Sequence, residues 1–258
     1  MKNLNEIFET TKNISIQTGF DELANYLMNE CVLDINDNEY RIAEIEFYYF
    51  DEKEHQDIFT HCNDKQKENN KFYFHGSGMD ITFGNNNYFG GILIRSLIDF
   101  YDNTPIIGPW NVFNEILHKA NENKNKLDLK ITLKEKEQPK KNFLKSCRVG
   151  LNLNNDNNCK EFKINSEKIK SLKEKYIFEP YRYILNNEEL ILKLLYKDEP
   201  TFLAWFLRNE KFNSQEANKR ISILLENLTK NKDSFLKIEN LKKKELRNFF
   251  ILKKISKN

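Results

Sequence analysis

The sequence predicts an α+β fold: a mixed but mainly antiparallel sheet body followed by a helical C-terminal extension. Three observations lead there. Short strand-like runs punctuated by glycine and asparagine turns crowd residues 32–97, amphipathic helical runs at 20–31 and 109–120 flank them, and from residue 186 onward the apolar spacing is helical. The expected division is a mixed body over residues 1–185 and a basic helical extension over residues 186–258, with no internal repeat.

In chain order, residues 20–31 place Phe20, Leu23, Ala24, Leu27 and Met28 on one helical stripe that should pack on the sheet. A short strand at 32–35 turns through Asn36, Asp37 and Asn38 into the run YRIAEIEFYY at 40–49, which makes a hairpin. Residues 51–71 are rich in Asp, Glu, Lys and Asn and read as a long loop leaving the end of that strand. Such loops in compact domains tend to be functional or disordered. The segments KFYF, MDITF and GGILIRSL supply three further strands, separated by Gly76, Gly78, Gly84, Gly90 and Gly91, which mark tight turns or close backbone approaches. Pro109 opens a helix at 109–120 with Val112, Phe113, Ile116 and Leu117 on one face, and strands are expected to return at 127–133, 147–153 and 181–185.

The run at 40–49 is the most informative. Side chains alternate along a strand, so Glu44, Glu46 and Tyr48 share a face. A carboxylate in a buried strand costs several kcal/mol unless it is paired, solvated in a cleft or used in chemistry. Glu46 is therefore the first candidate for a catalytic group, against the plainer alternative of a strand with one wet face.

The chain has 258 residues, 39% of them hydrophobic, and a formal charge of +2. That suffices for one large domain, or for one domain with an appendage. No apolar run approaches the roughly 18 residues of a membrane span, and the first residues lack the apolar block of a signal peptide. A soluble, cytoplasmic monomer with no membrane association is expected. Cys31, Cys62, Cys147 and Cys159 fall at no paired or zinc-finger spacing, so neither a disulfide framework nor a structural metal is indicated. His61 adjoins Cys62, with His55 and His75 near, but no second paired half completes a metal site. Charge is unevenly spread: residues 1–130 hold 12 basic and 22 acidic side chains, residues 131–258 hold 29 and 17. A positive surface beside a negative one suits a polyanionic partner gripped from one side, although a solvated lysine-rich face gives the same count.

Read in order, several segments resemble the alkyladenine (3-methylpurine) DNA glycosylase family. FDELANYL followed by RIAEIEFY is similar to that family's LARxLLG segment and RIVETEAY strand. GSGMDITFG and GGILIRSL stand where the family has PGTxYVYxxYG and VLLRALEP, and GPWNVFNEIL is similar to its GPGRLxxAL helix. Arg148-Val149-Gly150 and EPYRYIL resemble the closing RVGV and PLRFYV strands, so the likeness covers roughly residues 20–185. It implies a curved body related to the formyltransferase C-terminal domain, and an enzyme that hydrolyses the N-glycosidic bond of a damaged base flipped out of duplex DNA. No cofactor or metal is implied.

Carried onto this sequence, the family's general base falls on Glu46, its base-stacking tyrosine on Tyr48, and the arginine beside the catalytic carboxylate on Arg95. Positive charge at Arg95 would keep Glu46 ionised despite burial; a structural pairing with Glu44 or Asp99 is the alternative. The family's pocket tyrosine becomes Asp80 and its wedge tyrosine Phe83. Phe83 could still wedge between bases, whereas Asp80 cannot stack and would instead accept hydrogen bonds from a base edge. Either His55 or His61 could pack the base from the other side. Duplex DNA, approached from the minor-groove side with phosphates held by the basic half, is the implied partner. Residues 237–257 carry eight basic and two acidic side chains around an apolar stripe, suited to phosphate contacts or to ordinary docking as a terminal helix.

Overall fold

The computed structural model describes residues 1–121, 128–152, 158–159, 162–197, 203–204 and 207–230. Its centre is the predicted hairpin, β1 (Cys31–Ile35) with β2 (Asn38–Asp51). Asn36 and Asp37 form the turn with φ of 48° and 64°. A two-residue hairpin turn needs that left-handed backbone, and Asn and Asp tolerate it best after glycine.

β2 is the axis of a curled antiparallel sheet that also contains β3 (His55–Gln56), β4 (Asn69–His75), β5 (Gly78–Phe83), β6 (Phe89–Asp99), β7 (Pro105–Ile107), β8 (Ile131–Glu135), β9 (Phe143–Ser146) and β10 (Arg182–Leu185). One edge of β2 pairs with β6 along most of its length; the other is divided among β1, at residues 38–41, β10, at residues 44–46, and β3, at residues 50–51. The β2–β6 register shifts between Ile42 and Ile45, at the handover from β1 to β10. A bulge of this kind bends the strand and increases its twist, which lets one edge serve two partners. β5 and β4 continue the sheet beyond β6, β8 lies outside β1, and β9 outside β10.

One face of β2 is aromatic. Phe47 stacks on Phe20 at 4.4 Å between ring centroids, and Phe8 meets both Tyr49 and Phe83 at 5.0 Å. Phe8 and Phe20 come from α1 (Leu4–Lys12) and α2 (Ile16–Asn25), capped by Asn3 and Ser15, whose side chains accept the backbone N–H groups of Glu6 and Thr18. The helix expected at 20–31 thus begins four residues earlier, and a π turn, Tyr26–Glu30, carries the chain into β1. α3 (Pro109–Asn121) forms as predicted, with Val112 and Ile116 buried. The expected strand at 147–153 does not form: pairing ends at Ser146, and residues 147–152 leave the sheet to cross the other face of β2.

α4 (Ser166–Tyr176) was not expected, because its many lysines mask the weak stripe of Ile169, Leu172 and Tyr176. α5 (Glu188–Leu194) and α6 (Gln215–Lys230) follow. Their buried side chains, among them Leu190, Leu194, Ala217 and Ile221, belong to the same continuous apolar cluster as the sheet. The lysine-rich run at 237–257 lies outside the described residues.

Candidate functional site

The second face of β2 is polar and enclosed. Glu44 and Glu46 are both fully buried. Glu44 is held by the guanidinium groups of Arg182, at 2.7 Å, and Arg95, at 3.0 Å, and it accepts the Ser96 hydroxyl. Burial acts to raise its pKa, and the two guanidinium charges overcome that and bring it below the ordinary carboxylate value. Glu46 Oε1 accepts the backbone N–H of Val149 at 2.8 Å and lies 3.4 Å from Arg95 Nε, while Oε2 accepts the Tyr48 hydroxyl at 2.9 Å. Arg95 therefore contacts both carboxylates, with Glu44 the nearer. Burial first, and the Glu46 charge second, hold the Tyr48 pKa well above its usual range, so the phenol keeps the proton that it donates.

Behind Tyr48 lies a second buried pair that the sequence reading did not isolate. Arg148, wholly buried, grips Asp57 with both ends of its guanidinium, at 2.6 and 3.0 Å, and donates to the Phe47 carbonyl at 3.1 Å. The same guanidinium covers one face of the Tyr48 ring at 4.6 Å from its centroid. Arg148 and Val149 are adjacent, so one crossing segment anchors Glu46 and backs Tyr48. The RVG run was the visible signal, but Asp57, a single acid in a polar loop, gave none.

Beside this array is a cavity of about 250 Å³, walled in part by Tyr48, His61, His75, Asp80, Leu93 and Leu151. Glu46 does not reach its wall; Tyr48 stands between the carboxylate and the space. Asp80 is buried in the wall, with Oδ1 accepting from His75 Nε2 at 2.9 Å and Oδ2 from the Gln66 amide at 3.0 Å. Gln66 comes from a single 3-10 turn, Asp64–Lys67, within the stretch read from sequence as a loop. His61 is exposed at the rim, its ring edge-on to His75 at 4.6 Å; partial enclosure, then His75, lower its pKa.

Of His55 and His61, His61 is the one in the cavity wall. His55 is buried away from the cavity, with Nδ1 2.9 Å from the Tyr49 carbonyl oxygen and Nε2 2.9 Å from the Tyr181 hydroxyl. Phe83 is a correction. It is fully buried in the aromatic core against Phe8, Phe20 and Phe47, so it is not placed as a surface wedge. The reason is the strand period: Asp80 and Phe83 are three residues apart on β5, so they point to opposite faces.

A second correction concerns cysteines. Cys62 and Cys159 are joined in a disulfide across 97 residues, a separation that no local spacing could announce, while Cys31 and Cys147 are buried thiols. The bond ties the segment of His61 to that of Asn158, both in the cavity wall. Among the described residues no cluster of three or more His, Cys, Asp or Glu side chains could hold a metal ion, and no helix is long and apolar enough to cross a membrane.

No protein-family model matches the chain. Part of it is 35% identical over 125 residues to Uncharacterized protein L759 of Acanthamoeba polyphaga mimivirus, a match covering 39% of this chain. The match spans 57% of that relative's length.

Proposed function

We propose that the cavity receives one nucleobase extruded from DNA and that Glu46 primes a water molecule to hydrolyse its N-glycosidic bond. One observation carries this reading: Glu46, Arg95, Tyr48 and the Val149 N–H converge beside a cavity of about 250 Å³. That is just below the roughly 300–1,000 Å³ of drug-sized sites and suits a single flat ring. The base stacks on the Tyr48 face that Arg148 leaves uncovered. The Tyr48 hydroxyl swings from Oε2 as the ligand enters, and a water takes its place. Glu46 accepts a proton from that water as its oxygen bonds to the sugar C1′; the C1′–N electron pair leaves with the base. A base that is already cationic departs neutral. The scheme calls on no cofactor, and lysines of the basic half hold phosphates with salt-sensitive affinity.

The test uses duplexes carrying hypoxanthine, ethenoadenine, 3-methyladenine or an alkylated guanine. The wild type should release a base, and Glu46→Gln should abolish release while duplex binding persists; equal release by both would overturn the reading. A second reading, a non-catalytic protein that binds a nucleotide or nucleic acid in the same cavity, is favoured by the full enclosure of Glu46 behind Tyr48. It predicts binding with no base release by either protein. Release from nucleosides or RNA alone would move the substrate without moving the role of Glu46.

A further inference from the structure

Asp80 is a buried charged group in the cavity wall that the hydrolytic scheme leaves unused. Its surroundings fix how it can act. The Ser77 backbone N–H donates to His75 Nδ1 at 3.2 Å, so the His75 ring proton sits on Nε2 and is given to Asp80 Oδ1. Gln66 Oε1 accepts the Asn63 N–H at 3.4 Å, which turns the Gln66 amide nitrogen toward Asp80 Oδ2. A carboxylate offers about four lone-pair sites. Each Asp80 oxygen has one in use, leaving one on each. Among the described residues no lysine or arginine forms an ion pair with Asp80. A buried carboxylate held only by such donors favours a ligand that brings further N–H groups. The glycine at 91 lets the pair pack this closely: a Cβ there would lie 2.5 Å from both Asp80 Oδ2 and Gln66 Nε2.

We infer that Asp80 is a bidentate acceptor that selects a base with two adjacent donors on one edge, the N1–H and 2-amino group of guanine. This rests on the nucleobase reading of the cavity and names its substrate class. Hypoxanthine shares N1–H but lacks the amino group, and adenine sets one donor beside an acceptor. A site built to accept a hydrogen bond rejects the analogue that cannot make it.

Calorimetric titration of the full chain with guanosine, inosine and adenosine 5′-monophosphates tests this. The guanosine nucleotide should bind about ten- to a hundredfold more tightly than the other two, and Asp80→Asn should erase the preference. Of the four histidines, the imidazole signals of His61 and His75 should move on binding while those of His55 and His118 stay. Equal affinity for the three nucleotides, no binding, or a preference unchanged in Asp80→Asn would overturn the inference. Tighter binding of methylguanidinium than of any nucleotide would overturn it too, assigning the carboxylate to an arginine-like ligand. Loss of selectivity in a destabilised Asp80→Asn would be ambiguous alone, so the comparison of guanosine and inosine nucleotides on the wild type decides. Base excision that depends on Glu46 but ignores the 2-amino group would sink this inference alone. Guanine-selective binding with no excision would sink only the hydrolytic reading.

Discussion

His55 makes stability depend on pH in a way that can be worked from its position. Burial brings its pKa from 6.5 to about 4, and the nearby charge of Asp57 opposes this without restoring it. With Nδ1 donating to the Tyr49 carbonyl and Nε2 accepting from Tyr181, the folded state binds the neutral ring. The unfolded chain takes up a proton near pH 6.5 and the folded one only near pH 4, so the unfolded state holds more protons between these values. The contribution of this residue is fully present and independent of pH above pH 6.5, and it is lost as pH drops toward 4. One pKa unit is about 1.4 kcal/mol, so the full shift corresponds to about 3 kcal/mol, of which about 2 kcal/mol is lost by pH 5. His55→Asn keeps a donor near the Tyr49 carbonyl and removes the titration. Urea unfolding of both proteins at pH 7.5, 6, 5 and 4.5 isolates the effect, because all other groups cancel in the difference. The gap between them should narrow by about 2 kcal/mol from pH 7.5 to 5. A constant gap across that range would refute the argument, showing that the ring is solvated or already protonated in the fold.

Other perturbations report on the array around Tyr48. Asp57→Asn leaves the buried Arg148 guanidinium without its counter-charge and should destabilise by about 3–5 kcal/mol in denaturant unfolding. Joint replacement of Asp57 and Arg148 by apolar residues of similar size should recover most of that, which a double-mutant cycle would read as strong coupling. Gly91→Ala forces Asp80 and Gln66 apart from their contact and should abolish nucleotide selectivity at a cost of no more than about 1–3 kcal/mol, since only side-chain ends must yield. Phe83→Ala should cost about 3–5 kcal/mol in thermal or denaturant unfolding and leave the duplex affinity of the folded protein unchanged, whereas loss of a surface wedge would weaken duplex binding at little cost in stability.

The parts of the fold legible in the sequence were those with a local period. The 40–49 run, its Asn-Asp turn and the shared face of Glu44, Glu46 and Tyr48 follow from the two-residue alternation, and the structure keeps each of them. Arg95 was placed next to Glu46 by the resemblance alone; in the structure the two meet across neighbouring antiparallel strands, with Leu93 opposite Glu46. What escaped were contacts made by isolated residues from distant segments. Asp57 and Arg148 lie 91 positions apart, Cys62 and Cys159 lie 97 apart, and neither pair leaves a pattern in the intervening sequence. Gln66 was hidden in a polar stretch whose composition reads as loop. Phe83 was misplaced because a motif offset of three residues was carried over without the strand parity that assigns opposite faces.

Charge pairing gives each buried acid of this face a different capacity. Glu44 is enclosed by two arginines and a hydroxyl, so its replacement by glutamine would leave Arg182 and Arg95 against a neutral amide in the interior. That change belongs with the costly removals of one member of a buried ion pair, about 3–5 kcal/mol. Glu46 has only a shared claim on Arg95, at 3.4 Å, and of its other partners the Val149 N–H can donate to an amide oxygen while the Tyr48 hydroxyl can turn to accept from the amide nitrogen. Glu46→Gln should therefore fold with a smaller loss than Glu44→Gln. Two acids two residues apart on one strand thus differ in their hold on the fold: the first fixes the arginines, and the second is the one that the proposed hydrolysis calls on. If Glu46→Gln proved the more destabilising in urea unfolding, Glu46 would be the structural anchor of the face, and its candidacy as a general base would fall with it.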